Sequence, residues 1–168
     1  MMPVKVFFVK GIGIHNEKIV SFEKALKDAG IEKCNLVYVS SVFPQTCKLI
    51  DKAEGLGKLK AGQITFCVMA KNETNKPEQL ISAAIGLAVP KNRKHHGYFA
   101  EYCFSGKETK DIEKHVGFLA ESMLFEATGC KLKPNEIFKT STCQTAKGNS
   151  NYFWTTVIAA AVFISKKT

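Results

Sequence analysis

No two of the six cysteines stand in a C-x-x-C pair. Cys34, Cys47, Cys67, Cys103, Cys130 and Cys143 are scattered, mostly in apolar settings such as C-N-L-V-Y-V and I-T-F-C-V-M. That distribution suits small buried hydrophobes and argues against a disulfide framework, and more strongly against a structural zinc site. No run approaches the roughly 18 apolar residues of a membrane span. The opening M-M-P-V-K-V-F-F-V-K-G has no basic segment before its apolar stretch, which is too short for a secretory leader. It reads as a first strand, and the expected location is the cytoplasm.

Acidic residues are comparatively scarce: 15 against 24 basic ones, a net charge of +9. Such a balance permits contact with nucleic acid. However, Lys10, Lys18, Lys24, Lys27 and Lys33 are dispersed and no RNA-module signature is present, so a soluble lysine-rich surface is the expected reading and nucleic acid is not an expected partner. His15, His95, His96 and His115 show no metal-ligand spacing, so no metal is expected. G-I-G-I-H-N has Asn16 where a dinucleotide fingerprint needs its third glycine, and reads instead as a strand-to-helix turn.

What is there describes an ordinary globular chain of 168 residues, 45% hydrophobic, without repeats or an evident linker. One domain over 1–168 is expected. Strands are predicted at 3–9, 34–43, 64–70, 82–89, 98–104, 136–145 and 152–164. The spacing predicts a helix over 17–29, with Ile19, Phe22, Leu26 and Ala29 inward and Gly30 as its stop. A longer helix runs from about Glu108 to Ala127, with Ile112, Val116, Leu119 and Met123 inward and Gly129 as its exit. Residues 51–62 read as a polar surface loop. Two helices among about seven strands imply an α+β layered fold.

Two features carry possible chemistry. In G-Y-F-A-E-Y-C-F, alternation puts Glu101 on one face with Phe99 and Cys103. A carboxylate in that company either faces solvent or sits partly desolvated, where a raised pKa would suit it to donate a proton. The other feature is Ser40-Ser41, a hydroxyl pair inside the strand-like V-Y-V-S-S-V-F-P. It is either a polar strand end before Pro44 or a self-cleavage point. A strained peptide bond can be attacked by the hydroxyl of the residue that follows it to give an ester, if donors stabilise the oxyanion. Elimination then cuts the chain and leaves dehydroalanine, which hydrolyses to a pyruvoyl group.

The element order, A-G-I-E-K-C-N-L-V-Y-V-S-S-V-F-P, I-S-A-A-I-G-L-A-V-P-K and the acid in F-A-E-Y together resemble the pyruvoyl-dependent arginine decarboxylases over most of the chain. The resemblance implies a β-sandwich flanked by helices, similar to pyruvoyl-dependent histidine decarboxylase. It also implies a homotrimer, or a dimer of trimers, with active sites between neighbouring subunits. Self-cleavage would fall between Ser40 and Ser41, giving chains 1–40 and 41–168, with the pyruvoyl cofactor made from Ser41. Asn35 matches the asparagine that assists processing, and Glu101 matches the proton donor. Glu23 stands where relatives carry an aspartate for the substrate guanidinium; Ile19 matches an apolar pocket residue, and Ser40 belongs to the substrate site. The implied reaction converts L-arginine to agmatine and carbon dioxide, in polyamine biosynthesis or arginine catabolism.

Three departures bear on the substrate. Glu23 is one methylene longer than aspartate, which moves its carboxylate about 1.3 Å along an extended side chain. V-F-P-Q follows the cleavage point where many relatives have two prolines, a difference in loop stiffness. A protein of net charge +9 also opposes long-range steering of a cation, although salt screens this over about 10 Å. The competing readings are a decarboxylase of another amino acid and an unprocessed basic nucleic-acid-binding protein.

Overall fold

The structure is a computed structural model and describes residues 2–106, 111–129 and 131–165. Among them, two sheets stack face to face and a helix covers the outside of each. The first sheet holds β1 (Pro3–His15), β2 (Asn35–Tyr38), β4 (Lys48–Leu49), β5 (Ile64–Thr74) and β9 (Trp154–Ser165), in the order β2-β5-β9-β1-β4. The second holds β3 (Val42–Phe43), β6 (Leu80–Pro90), β7 (Gly97–Gly106) and β8 (Ile137–Lys147), in the order β3-β7-β6-β8. Helix α1 (Lys18–Ala29) lies on the first sheet and α3 (Ile112–Thr128) on the second, with short α2 (Lys52–Leu56) against β1. This is the helix-flanked β-sandwich that the resemblance implied.

The inter-sheet core joins Val6, Val68, Val157, Ala159 and Phe163 of the first sheet to Ile81, Ile85, Leu87 and Phe99 of the second. Phe99 sits at its centre, its ring meeting those of Phe8, Phe43 and Phe163. Both faces of β9 are covered: Val157, Ala159 and Ala161 point to the other sheet, while Ile158, Ala160 and Val162 point to α1. Its sequence is therefore a continuous apolar run rather than an alternation.

Five sequence expectations are corrected. G-I-G-I-H is not a turn, since β1 continues to His15, which pairs with Trp154. Its glycines serve close approach. A Cβ on Gly11 would lie 2.2 Å from the Ala25 carbonyl oxygen, and one on Gly13 2.0 Å from that of Ser21. Helix α1 therefore presses its small side to the sheet, burying Ser21, Ala25, Leu26 and Ala29 and leaving Ile19 72% exposed. In α3, likewise, the buried stripe is Ile112, Val116, Ala120 and Leu124; Leu119 is only partly buried and Met123 is exposed. Its expected start at Glu108 lies outside the described residues. The 51–62 loop contains α2, whose Asp51 cap accepts from the Glu54 N–H at 2.8 Å. Finally, the 34–43 strand is two strands in different sheets. The helix exits are as expected, with Gly30 and Gly129 in the left-handed region at φ 84° and 63°.

Gly13→Ala gives a direct check on the α1 contact. The clashing atom belongs to backbone and cannot swing aside, so the variant should lose about 1–3 kcal/mol. Urea unfolding reads this as a lower midpoint, and an unchanged midpoint would contradict the close approach.

Candidate active site

The Ser40–Ser41 peptide lies where the chain leaves one sheet for the other. Val39 is still tied to the first sheet, its N–H donating to the Cys67 carbonyl at 3.0 Å. Ser41 already belongs to the second, its carbonyl accepting from the Phe99 N–H at 2.7 Å, one step before the Val42–Tyr98 and Phe43–Gly97 pairs. Ser40 alone spans the passage and is exposed. Neither serine is among the described non-glycine residues with positive φ, which are Glu78, Arg93 and Tyr152. The bond is thus distinguished by position and accessibility, with a hydrogen bond holding the chain on each side.

Register then brings the acid to the pair. Because Phe99 bonds Ser41, Glu101 follows two residues along β7 on the same face, as alternation predicts. Phe99 lies in the inter-sheet core, and the Cys103 thiol donates across it to the Lys71 carbonyl at 3.3 Å. Strand β2 has ended by this point, so the edge of β5 is open, and the Met69 N–H donates to the Glu101 carboxyl. Burial pushes that carboxyl above the ordinary carboxylate range, and the Met69 bond only partly offsets it. Tyr38 and Cys67 flank it. Tyr38 is exposed as a whole, but partial desolvation of its phenol end, then the nearby Cys67 and Glu101, raise the phenol pKa, and its hydroxyl donates to Met69 Sδ at 3.4 Å. Burial, then Glu101, push the Cys67 thiol up to about 12.

Ser41 and Glu101 share one open cleft of about 810 Å³ between β7 and α3. Tyr98 and Ala100 of β7 and Leu119, Ser122, Met123, Glu126 and Ala127 of α3 complete its lining. Ser40 faces away, into a smaller and mainly apolar pocket of about 310 Å³ with Val39, Val42, Pro44 and Phe66. The two sides of one peptide bond therefore open onto different cavities.

A single protomer does not bring the remaining sequence-selected residues to this cleft. Asn35 stands at the far end of β2, five residues or about 16 Å of extended chain before Ser40. Its Nδ2 donates to the Gly62 carbonyl at 2.9 Å. Ile19 and Glu23, four residues apart, are both exposed on α1, outside the cleft lining. Sequence reading missed three components: Tyr38, taken only as a strand residue; the Met69 N–H; and the α3 wall. The wall left a signal in Leu119, Ser122, Met123 and Glu126, which recur at intervals of three, one and three and so share one helix face. The Met69 donor left none, because backbone vacancies follow from pairing.

Among the described residues no helix is long and apolar enough to cross a membrane, and no group of three or more metal-ligating side chains occurs.

Comparison with known proteins matches residues 5–168 to the family described as pyruvoyl-dependent arginine decarboxylase. The chain is similar to pyruvoyl-dependent arginine decarboxylase 2 of Methanosarcina acetivorans, 42% identical with 99% of this chain and 100% of the relative covered. It is 46% identical to pyruvoyl-dependent arginine decarboxylase of Methanocella arvoryzae, covering 98% and 97% of the two chains. With the probable pyruvoyl-dependent arginine decarboxylase of Chlorobium limicola the identity is 44%, over 97% and 98%.

Proposed function

As the chain belongs to the pyruvoyl-dependent arginine decarboxylase family, we propose that it cuts itself between Ser40 and Ser41 and converts L-arginine to agmatine and carbon dioxide. One observation carries this reading: Ser41 and Glu101 meet in one open cleft, at the point where the chain crosses between sheets. The single domain would mature into chains 1–40 and 41–168.

The residues present fit a pyruvoyl group at position 41. Its amide carbonyl is the one that already accepts from the Phe99 N–H at 2.7 Å, so β7 would hold the new chain start after the cut. When bound, such a group supplies the electron sink that lets a carboxylate leave as carbon dioxide. The chain's own residues do the rest. Partial desolvation raises the pKa of the Glu101 carboxyl, which favours the form that has a proton to deliver, and the Met69 N–H orients it. Leu119, Met123 and Ala127 give the opposite wall an apolar surface that limits water at the site.

Asn35, Glu23 and Ile19 act in this reading from a neighbouring copy, within a homotrimer or a pair of stacked trimers. The exposure of Ile19, Val37, Tyr38 and Ile64, large apolar residues on α1, β2 and β5, supports a covered surface there. Glu23 meets the guanidinium and Asn35 donates to the oxyanion of the cleaving bond. Co-expression tests the arrangement. Glu23→Ala and Glu101→Gln should each be nearly inactive alone. Mixed assemblies should regain roughly a quarter of parental activity, because random mixing pairs an intact Glu23 with an intact Glu101 in that share of sites. No recovery on mixing would contradict sites built from two subunits.

The activity is tested by carbon dioxide release across the amino acids. Arginine should be turned over far faster than lysine, ornithine or histidine; preference for another amino acid would replace arginine as substrate.

A further inference from the structure

The two polar residues on the α3 side of the cleft, Ser122 and Glu126, have no part in the chemistry described so far. Leu119, Ser122, Met123, Glu126 and Ala127 form one continuous face of the helix. Three apolar side chains carry two polar ones a turn apart. The Ser122 hydroxyl donates to the Phe118 carbonyl at 3.0 Å, which leaves its lone pairs free to accept. No lysine, arginine or histidine occurs among the described residues lining the cleft, although the whole chain carries a net charge of +9. The cleft thus reverses the sign of the surrounding protein, and at short range such local groups outweigh the screened net charge. Of its two carboxyl groups, Glu101 is needed as the proton donor. Glu126 is exposed and free of that duty.

We propose that Glu126, backed by Ser122, receives the cationic end of the substrate side chain, from the same protomer that supplies Ser41 and Glu101. The methylene stem would lie along Leu119, Met123 and Ala127. The ligand class is an amino acid whose long apolar side chain ends in a cation, and the inference rests on the decarboxylase reading above. A guanidinium presents five N–H donors in a planar fork, enough to meet Glu126 and a neighbouring copy's Glu23 together. Substrates with a neutral end would leave the Glu126 carboxylate unmatched, which makes this residue a determinant of specificity.

The test uses self-processed Glu126→Gln, with cleavage checked on a denaturing gel. The KM for L-arginine should rise about tenfold to a hundredfold, the loss expected when one charge-assisted contact is neutralised. The value of kcat should fall less than threefold. Calorimetric binding of agmatine should weaken by a factor similar to that for KM, and Glu126→Asp should recover part of both. Unchanged KM and agmatine affinity, or a loss confined to kcat, would overturn the proposal. Should Glu126→Gln not accumulate, Glu126→Ala at this exposed helical position carries the same readouts. A parent protein that releases no carbon dioxide from arginine refutes the decarboxylase reading itself; a competent parent matched by its Glu126 variants refutes only this inference.

Discussion

Ser41→Ala is expected to leave the 168-residue chain in one piece. Cleavage by the proposed route begins when the Ser41 hydroxyl attacks the Ser40 carbonyl carbon, and a methyl group has no lone pair to attack with. Nothing else in the local structure should change. The ties on either side, Val39 N–H to Cys67 O and Phe99 N–H to Ser41 O, are backbone bonds that the substitution keeps. The variant should therefore fold, assemble as the parent does and show a single band under conditions in which the parent shows two. It should also lack decarboxylase activity entirely, because no ketone is formed. Both fragments appearing in Ser41→Ala would mean that another nucleophile cuts the chain, and the assignment of Ser41 would fall. Ser40→Ala separates the roles of the pair: it retains the nucleophile, so cleavage should continue.

Glu101→Gln should give the opposite pattern, normal cleavage with lost turnover. A general acid contributes about 10²–10⁴-fold to rate, and glutamine keeps the shape of the side chain without a transferable proton. Turnover should fall by that factor while the two chains still form. Near-normal agmatine production would remove Glu101 from the reaction. The parental pH profile carries a related signature. Burial raises the Glu101 pKa, so the protonated acid persists above the usual carboxylate range. Turnover should then decline as pH rises through that raised value. Tyr38, Cys67 and Cys103 face the same carboxyl, but burial raises all three above their own alkaline ordinary values, so they do not produce this limb. The stability contribution has the same sign. The folded state binds this proton more tightly than the unfolded chain, so the contribution is complete below the unfolded pKa and is lost as pH rises through the folded one. Glu101→Gln should abolish that dependence along with the limb in turnover.

Most strands and both longer helices could be read from periodicity and turn residues, because those signals are local. Two kinds of feature could not. Residues 34–43 all but request a single strand, since Val37, Tyr38, Val39, Val42 and Phe43 favour extended backbone. What divides them is a change of hydrogen-bond partner, from Cys67 to Phe99, across one residue. Propensity has no term for which sheet a strand joins. The inward faces of the helices failed for a different reason. Hydrophobicity ranks Ile19 and Met123 as core, yet the sheet surfaces beneath are floored by glycine: Gly11 and Gly13 under α1, and Gly86 under α3, where a Cβ would lie 2.3 Å from the Val116 carbonyl oxygen. Close approach selects the small-residue faces, those of Ser21 and Ala25 or of Val116 and Ala120. The larger apolar residues turn outward as a result. Met123 then lines the cleft, and Ile19 stays exposed.

The sequence singled out Ser40, Ser41 and Glu101 from local pattern, with proposed roles that the family resemblance implies, and the pairing of β3 with β7 brings them close. Asn35, Glu23 and Ile19 were identified by resemblance alone. The structure leaves all three outside the cleft lining.

The most direct test is an intact-mass spectrum of purified, matured protein. The expected result is two chains, residues 1–40 ending in an ordinary carboxylate and residues 41–168 one ammonia lighter than a fragment made by hydrolysis, the larger reactive toward carbonyl reagents. A single unbroken mass for the whole chain, with no reactive carbonyl, would contradict it.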